Sequence, residues 1–155
     1  MTVLIDSNVA LDVLLNNAGL VVGSRALLDL AAKKRFTGYI SASAVTDIFY
    51  ISQKKLGKKA AKEAIIHLLY VYRPATVTGE DIYHAFDLTW DDFEDSVQFT
   101  VGESLPADYI VTRNIQDFSF SHIPAVTPEQ FIQILTDNLK VATTVLSGTP
   151  PQQSG

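Results

Sequence analysis

Apolar residues along this chain fall into blocks of two kinds: short unbroken runs, and longer stretches in which they recur every three or four positions. Val3, Leu4 and Ile5 form a run with no polar alternation, the pattern of a strand buried on both faces. Within 24–34, Leu27, Leu28 and Ala31 share one helical face, and within 41–53 so do Ala44, Ile48 and Ile51. Taken in order, the chain predicts a strand over 3–5 turning directly into a helix, a helix over 24–34, a strand over 35–40, and a helix over 41–53 capped by Ser41 or Ser43. Gly57 separates this from a helix over 58–72 that ends before Pro74. A short strand over 75–78, helices over 79–86 and 91–103, and strands over 109–111 and 125–126 follow. Thr127, Pro128 and Glu129 open the last helix with a cap and a proline in its first turn. Strands alternating with helices imply an α/β fold, a parallel sheet covered by helices. From about Lys140 the apolar pattern stops and the chain ends in SGTPPQQSG, so the expectation is one domain over 1–139 and a flexible tail over 140–155.

Composition narrows the chemistry. A chain of 155 residues with 47% hydrophobic content supports one domain with a sizeable core. Without cysteine there is no disulfide, thiolate metal site or cysteine nucleophile. The N-terminus lacks the basic region of a signal peptide, and no apolar run reaches membrane-spanning length, so a soluble cytoplasmic protein is expected. The net charge of −5 argues against a generic nucleic-acid binder, but the charge is unevenly spread. Eight of the twelve basic residues lie in two runs, Lys33, Lys34, Arg35 and Lys54, Lys55, Lys58, Lys59, Lys62, whereas 80–117 holds ten acids and the single base Arg113. A site that holds cations while its rims hold phosphates has this distribution, and a solvated helix face also accounts for either basic run.

Four acidic positions stand out. Asp6 is delivered by the first strand at its carboxyl end, where open α/β sheets place ligands, and Ser7 and Asn8 follow; an ordinary helix N-cap is the bland alternative. Asp47 lies at the edge of the Ala44, Ile48, Ile51 stripe, either solvated at the core margin or turned toward a partner. Asp91, Asp92, Glu94 and Asp95 gather where a helix begins, and the macrodipole accounts for one or two of them. Asp92 and Asp95 share a face while Glu94 points away, and like charges at that spacing repel unless a cation lies between them. Finally, Tyr109 to Val111 repeats the opening logic, releasing Thr112, Asn114 and Asp117 at the carboxyl end of a strand; Asp108, at the other end, reads as structural.

The stretches LIDSNVALD, TDIFY, DDFEDSVQ and IVTRNIQDF, with the closing IPAVTPEQFI, occur in the order and approximate spacing of the PIN domain, and the chain resembles the VapC-type toxin branch of these ribonucleases over Thr2 to about Leu135. The resemblance implies a three-layer α/β/α fold with a central parallel sheet of about five strands. It also implies a Mg²⁺- or Mn²⁺-dependent endoribonuclease specific for single strands, held in check by a small antitoxin protein and commonly a homodimer. The family's acidic quartet carries over to Asp6, Asp47, Asp95 and Asp117, with Ser7, Asn8, Asp92, Thr112 and Asn114 as support. Most relatives have glutamate where this chain has Asp47, and the shorter arm leaves room for water between the carboxylate and a metal.

Physical chemistry stands beside the resemblance. Carboxylates and water suit hard divalent cations, and unit charges ~4 Å apart repel by about 4 kcal/mol at an effective dielectric near 20, so an empty acidic quartet needs protons or a cation. Asp6, Asp95 and Asp117 are the expected ligands, converging in one concave site, with Asp47 at its edge. Lys54, Lys55 and Lys58 are candidate RNA contacts through phosphates. The aromatics Phe49, Tyr50, Tyr70 and Tyr72 look exposed on adjacent helices and suggest an apolar dimer patch, although core packing explains most of them. Other chemistries fit less well: His67, His84 and His122 have no obvious acid or nucleophile partner, and the phosphate-cradling glycine loops are absent. A receiver-type phosphoacceptor domain wants a lysine where Thr112, Arg113 and Asn114 stand. The rival reading within the family is a catalytically weak PIN-like domain that binds RNA or protein, which the Asp47 departure favours.

Overall fold

The structure is a computed structural model, and it describes residues 1–148. Five strands form one all-parallel sheet: β1 (Thr2–Ile5), β2 (Thr37–Ser41), β3 (Arg73–Ala75), β4 (Tyr109–Val111) and β5 (Ala125–Val126), in the spatial order β3-β2-β1-β4-β5. Among the described residues seven helices cover it: α1 (Ser7–Leu14), α2 (Val21–Ala32), α3 (Ala42–Leu56), α4 (Lys58–Val71), α5 (Gly79–Asp87), α6 (Phe93–Ser104) and α7 (Pro128–Ser147). A 3₁₀ turn spans Ile115–Phe118. This is the three-layer α/β/α architecture expected.

The apolar run of β1 explains the layering. Side chains alternate across a strand, so Val3 and Ile5 enter a core with residues of α1, α2, α3, α4 and α7, while Leu4 enters a second core with residues of α5 and α6. All three are fully buried, as are their β4 neighbours Ile110 and Val111. The strand order makes β1 the turning point: the chain builds outward through β2 and β3, then returns to the other side of β1 for β4. The carboxyl ends of β1 and β4 therefore open side by side at a topological switch point, where parallel sheets bind ligands.

Several elements depart from the sequence reading. β3 covers Arg73–Ala75 rather than 75–78, with Pro74 inside it, because β3 pairs only with β2 and an edge strand tolerates a residue without an N–H. On α3 the buried residues are Ala44, Ile48 and Ser52, while Ile51 is exposed; one turn beyond Ile48, position 52 continues the buried stripe. α6 begins at Phe93, with Asp92 as its cap. α7 continues to Ser147, so the expected start of the tail at 140 falls inside a helix; nearly all residues beyond 136 face solvent, Leu139, Val141, Val145 and Leu146 among them, so the apolar residues there belong to no core stripe. The last part of that tail, 149–155, lies outside the described residues. Tyr72 is a core residue and Phe49 is partly buried, so of the four aromatics proposed as a surface patch only Tyr50 and Tyr70 are exposed.

Candidate active site

Asp6 anchors the site. Its extended backbone ends β1 and caps α1, and its N–H bonds to Val111 O at 2.9 Å, pinning the turn to β4. The residue is 6% exposed. Its Oδ1 accepts from the Ser7 N–H (2.7 Å), the Ser7 hydroxyl (3.3 Å) and Gln98 Nε2 (2.5 Å), and its Oδ2 accepts from the Thr112 hydroxyl (2.7 Å). Burial raises the Asp6 pKa above the ordinary carboxylate value, and the donors from Thr112, Ser7 and Gln98 offset part of that rise.

Thr112 is the hub that joins the two strand ends. Fully buried, it donates to Asp6 and accepts from the Asn114 N–H (3.0 Å) and Asn8 Nδ2 (3.4 Å), while Asn8 Oδ1 takes the Arg113 N–H at 3.2 Å. Asn114 thus joins this network through its backbone. The α6 entrance supplies the other wall. Asp92 caps the helix by accepting from the Asp95 N–H at 3.0 Å, which accounts for this acid pair without an intervening cation. A cleft of about 140 Å³ runs between Asp91, Asp92 and Asp95 on one side and Gln116, Asp117 and Phe120 on the other.

Electrostatics extends this group. The Asp95 carboxyl is pushed up to about 7, first by burial and then by the charges of Asp92, Asp6, Asp117 and Glu94. Glu94 is also raised, by burial and then by Asp47, Asp6 and Asp92. Glu94 is therefore close enough to feel the charges of Asp47, exposed on α3, and of Asp6, and belongs electrostatically to the acid group although it does not line the cleft. Among the described residues none of Asp6, Asp47, Asp92, Glu94, Asp95 and Asp117 takes part in an ion pair. Nor do three acidic or histidine side chains already stand around a common point for an ion. Mutual repulsion works against such closure as long as nothing offsets the charge. An all-oxygen, uncompensated donor set of this kind fits a hard divalent cation.

Three residues escaped the sequence reading. Gln98 lies three positions after Asp95, but 96–102 of α6 are buried on every side, so helical periodicity carries no signal there. Arg113 reaches away from the acids instead: it bonds Asp12 Oδ2 (2.8 Å), both oxygens of Glu129 (2.9 and 2.7 Å), Leu20 O (2.7 Å) and Ser24 Oγ (2.9 Å). Glu103 gives two of the three histidines an acid partner that the sequence did not reveal, at 2.7 Å from His122 Nε2 and 3.5 Å from His84 Nδ1. Glu103 follows Asp95 by eight residues, about 12 Å along α6, so this cluster is separate from the acidic cleft.

Comparisons with known proteins agree with this layout. The family model described as PIN domain matches residues 2–116. No curated protein matches the chain. Among solved structures, a toxin–antitoxin complex from Klebsiella pneumoniae is similar at 18% identity and a TM-score of 0.61, over 81% of this chain and 97% of that one. VapBC2 from Rickettsia felis, bound to a DNA fragment from its promoter, is similar at 15% identity and a TM-score of 0.66, over 82% and 98%. VapC20 from Mycobacterium tuberculosis, described as a toxin that cleaves the sarcin–ricin loop, is similar at 17% identity and a TM-score of 0.58, over 70% and 86%. At these identities the structures share a fold with this chain. With the family model spanning most of its length, the chain belongs to the PIN domain family.

Proposed function

We propose that the protein is a metal-dependent endoribonuclease acting on single-stranded RNA, the toxin of a toxin–antitoxin pair. The observation that carries this reading is the acid cluster at the switch point of the sheet, in which no carboxylate has a basic partner among the described residues. Asp6, Asp95 and Asp117 hold Mg²⁺ or Mn²⁺, and Asp47 acts from the rim, positioning water with Glu94 beside it. When bound, the cation supplies an activated water and neutralises charge on the scissile phosphate. Ser7 and Thr112 orient Asp6 by donating to its two oxygens, while Asn8 and the Asn114 N–H orient Thr112. Asp92 fixes the first turn of α6 and with it Asp95. Phe120 lines the cleft at 80% exposure and offers a stacking face to an unpaired base.

The toxin assignment rests on the similarity of fold to structures of which one is described as a toxin and another as a toxin–antitoxin complex, and an antitoxin is the partner it implies. The nuclease domain is taken as 1–139, and association into a homodimer is part of the same reading. With no helix among the described residues long and apolar enough to cross a membrane, the site of action is taken as the cytoplasm.

The test is cleavage of single-stranded RNA by purified protein with Mn²⁺ or Mg²⁺. Activity should vanish with chelator and fall by at least about 100-fold in Asp117→Asn. Two observations favour a second reading, a PIN domain that binds RNA without cutting it: Asp47 has a shorter arm than the family's glutamate, and the acids of the described residues are not gathered around one point. Metal-independent RNA binding with no cleavage under any divalent ion would decide for it.

A further inference from the structure

Gln98 leaves its amide oxygen without a hydrogen bond. α6 carries it three residues after Asp95, so the two side chains leave the helix on the same face. It is 1% exposed. Its Nε2 donates to Asp6 Oδ1 at 2.5 Å, and its Oε1 is buried without a partner. The opposite amide orientation sets oxygen against carboxylate, acceptor to acceptor, so an ionised Asp6 selects the orientation observed. The two amide heavy atoms are about 2.2 Å apart, which puts Oε1 within about 5 Å of Asp6 Oδ1, beside the acid cluster. Nearby hydroxyls are already committed: Thr112 donates to Asp6 Oδ2, and Thr100 donates to the Asp81 and Val97 carbonyls at 3.0 Å. Buried acceptors without a donor are rare in folded proteins and are completed by a water or a ligand.

Resting on the metal-dependent reading above, we propose that Gln98 is a positioning residue for the cation: its amide N–H fixes Asp6, and its Oε1 accepts a hydrogen bond from a water in the ion's hydration shell. Mg²⁺ gives up its waters reluctantly, and those waters need acceptors. Asp6 Oδ1 is taken up by its three donors, so the neutral amide oxygen supplies an acceptor without adding charge to a crowded cluster.

The experiment measures Mn²⁺ binding to the full chain without RNA, by electron paramagnetic resonance of the free ion, together with melting midpoints with and without Mn²⁺. For Gln98→Met, similar in volume but unable to hydrogen-bond, the Mn²⁺ Kd should rise by about 10- to 100-fold. The metal-induced gain in midpoint should shrink, while the metal-free midpoint changes little, because the lost Asp6 bond is offset by removal of an orphan acceptor. An unchanged Kd with a lowered metal-free midpoint overturns the proposal and makes Gln98 structural only. Should Gln98→Met not fold, Gln98→Asn, whose amide is one methylene too short to serve both ends, should weaken Mn²⁺ binding likewise, and an unchanged Kd there overturns the proposal too. If wild type itself binds no Mn²⁺, the metal-dependent reading fails and this inference with it, whereas tight wild-type binding that Gln98 substitutions do not affect removes this inference alone.

Discussion

Asp95 shows how one residue in this site couples chemistry to stability. Its folded-state pKa near 7 exceeds the unfolded value of about 4, so ionising it costs more in the folded protein than in the unfolded chain. By linkage the penalty is absent below about pH 4, grows between pH 4 and 7, and is complete above that. Asp95→Asn removes the charge with little change of shape. At pH 8 without metal it should stabilise the protein by about 1–2 kcal/mol after allowance for solvent screening, or roughly 2–8 °C in midpoint, with no gain at pH 4. Wild type should gain further stability on adding Mg²⁺ or Mn²⁺, and the mutant much less. Equal metal-induced shifts in the two proteins would remove Asp95 from the ligand set. Asp6, just past β1, and Asp117, in the 3₁₀ turn six residues beyond β4, stood out in the sequence because a β-run followed by a polar cluster marks the ligand edge of a parallel sheet. Asp95 was legible as one of a helix-start group. The coupling of Glu94 to Asp47 was not legible because a helical wheel registers its own helix and not the carboxylate on α3, and Gln98 was invisible because a helix buried all round has no polar face to read.

At the level of elements, Arg113 ties the site to its scaffold. From the end of β4 its guanidinium reaches Asp12 of α1, Leu20 and Ser24 at the start of α2, and Glu129 of α7, with only 13% of its side chain exposed. Asp12 is buried, so removing Arg113 strands its charge. We expect Arg113→Ala to cost about 3–5 kcal/mol in denaturant unfolding, against less than about 1 kcal/mol for removal of an exposed pair partner, Lys140→Ala. The α3–α4 corner tells a different story. Lys58 begins α4, at the positive end of a helix dipole, where a lysine is unfavourable for stability. Lys54 and Lys55 end α3, which carries Asp47 two turns earlier, and Lys54 also lies over the Tyr50 ring at 4.1 Å. Lys58 thus suits phosphate contact better than folding, whereas Lys54 and Lys55, at the negative end of the α3 dipole, serve the helix as well. Replacing Lys54, Lys55 and Lys58 by alanine should weaken RNA binding and flatten its salt dependence, leave the cut site unchanged, and leave the midpoint within a few degrees. Unchanged RNA affinity would reduce the run to a solvated face. The elements themselves were legible wherever period and punctuation agreed, as at Gly57 and the Thr127–Pro128 cap. They were not legible where tertiary position overrode the local signal, as in the edge strand that accepts Pro74 and the exposed second half of α7.

For the whole molecule, the remaining question is what covers its exposed apolar surface. Tyr50 on α3, and Ile66 and Tyr70 one turn apart on α4, are 57%, 47% and 83% exposed on two helices packed against each other, and the lysines of the α3–α4 corner lie at one end of this surface. A monomer gains nothing from leaving Tyr70 so open, whereas aromatic residues ringed by charge are typical of surfaces that bury against another protein. The net charge of −5 opposes self-association, so burial of these side chains must outweigh a repulsion that salt screens. A homodimer through this face therefore carries a signed salt dependence: raising ionic strength should strengthen it, the reverse of what salt does to RNA binding. Sedimentation equilibrium at micromolar concentration should give twice the 17.0 kDa of the chain, and Tyr70→Asp should shift the protein to monomer without lowering its melting midpoint extrapolated to low concentration. A monomer at every salt concentration would leave Tyr50, Ile66 and Tyr70 to another partner. A dimer insensitive to Tyr70→Asp would move the interface elsewhere, with the exposed Leu139, Val141, Val145 and Leu146 of α7 the next surface to test.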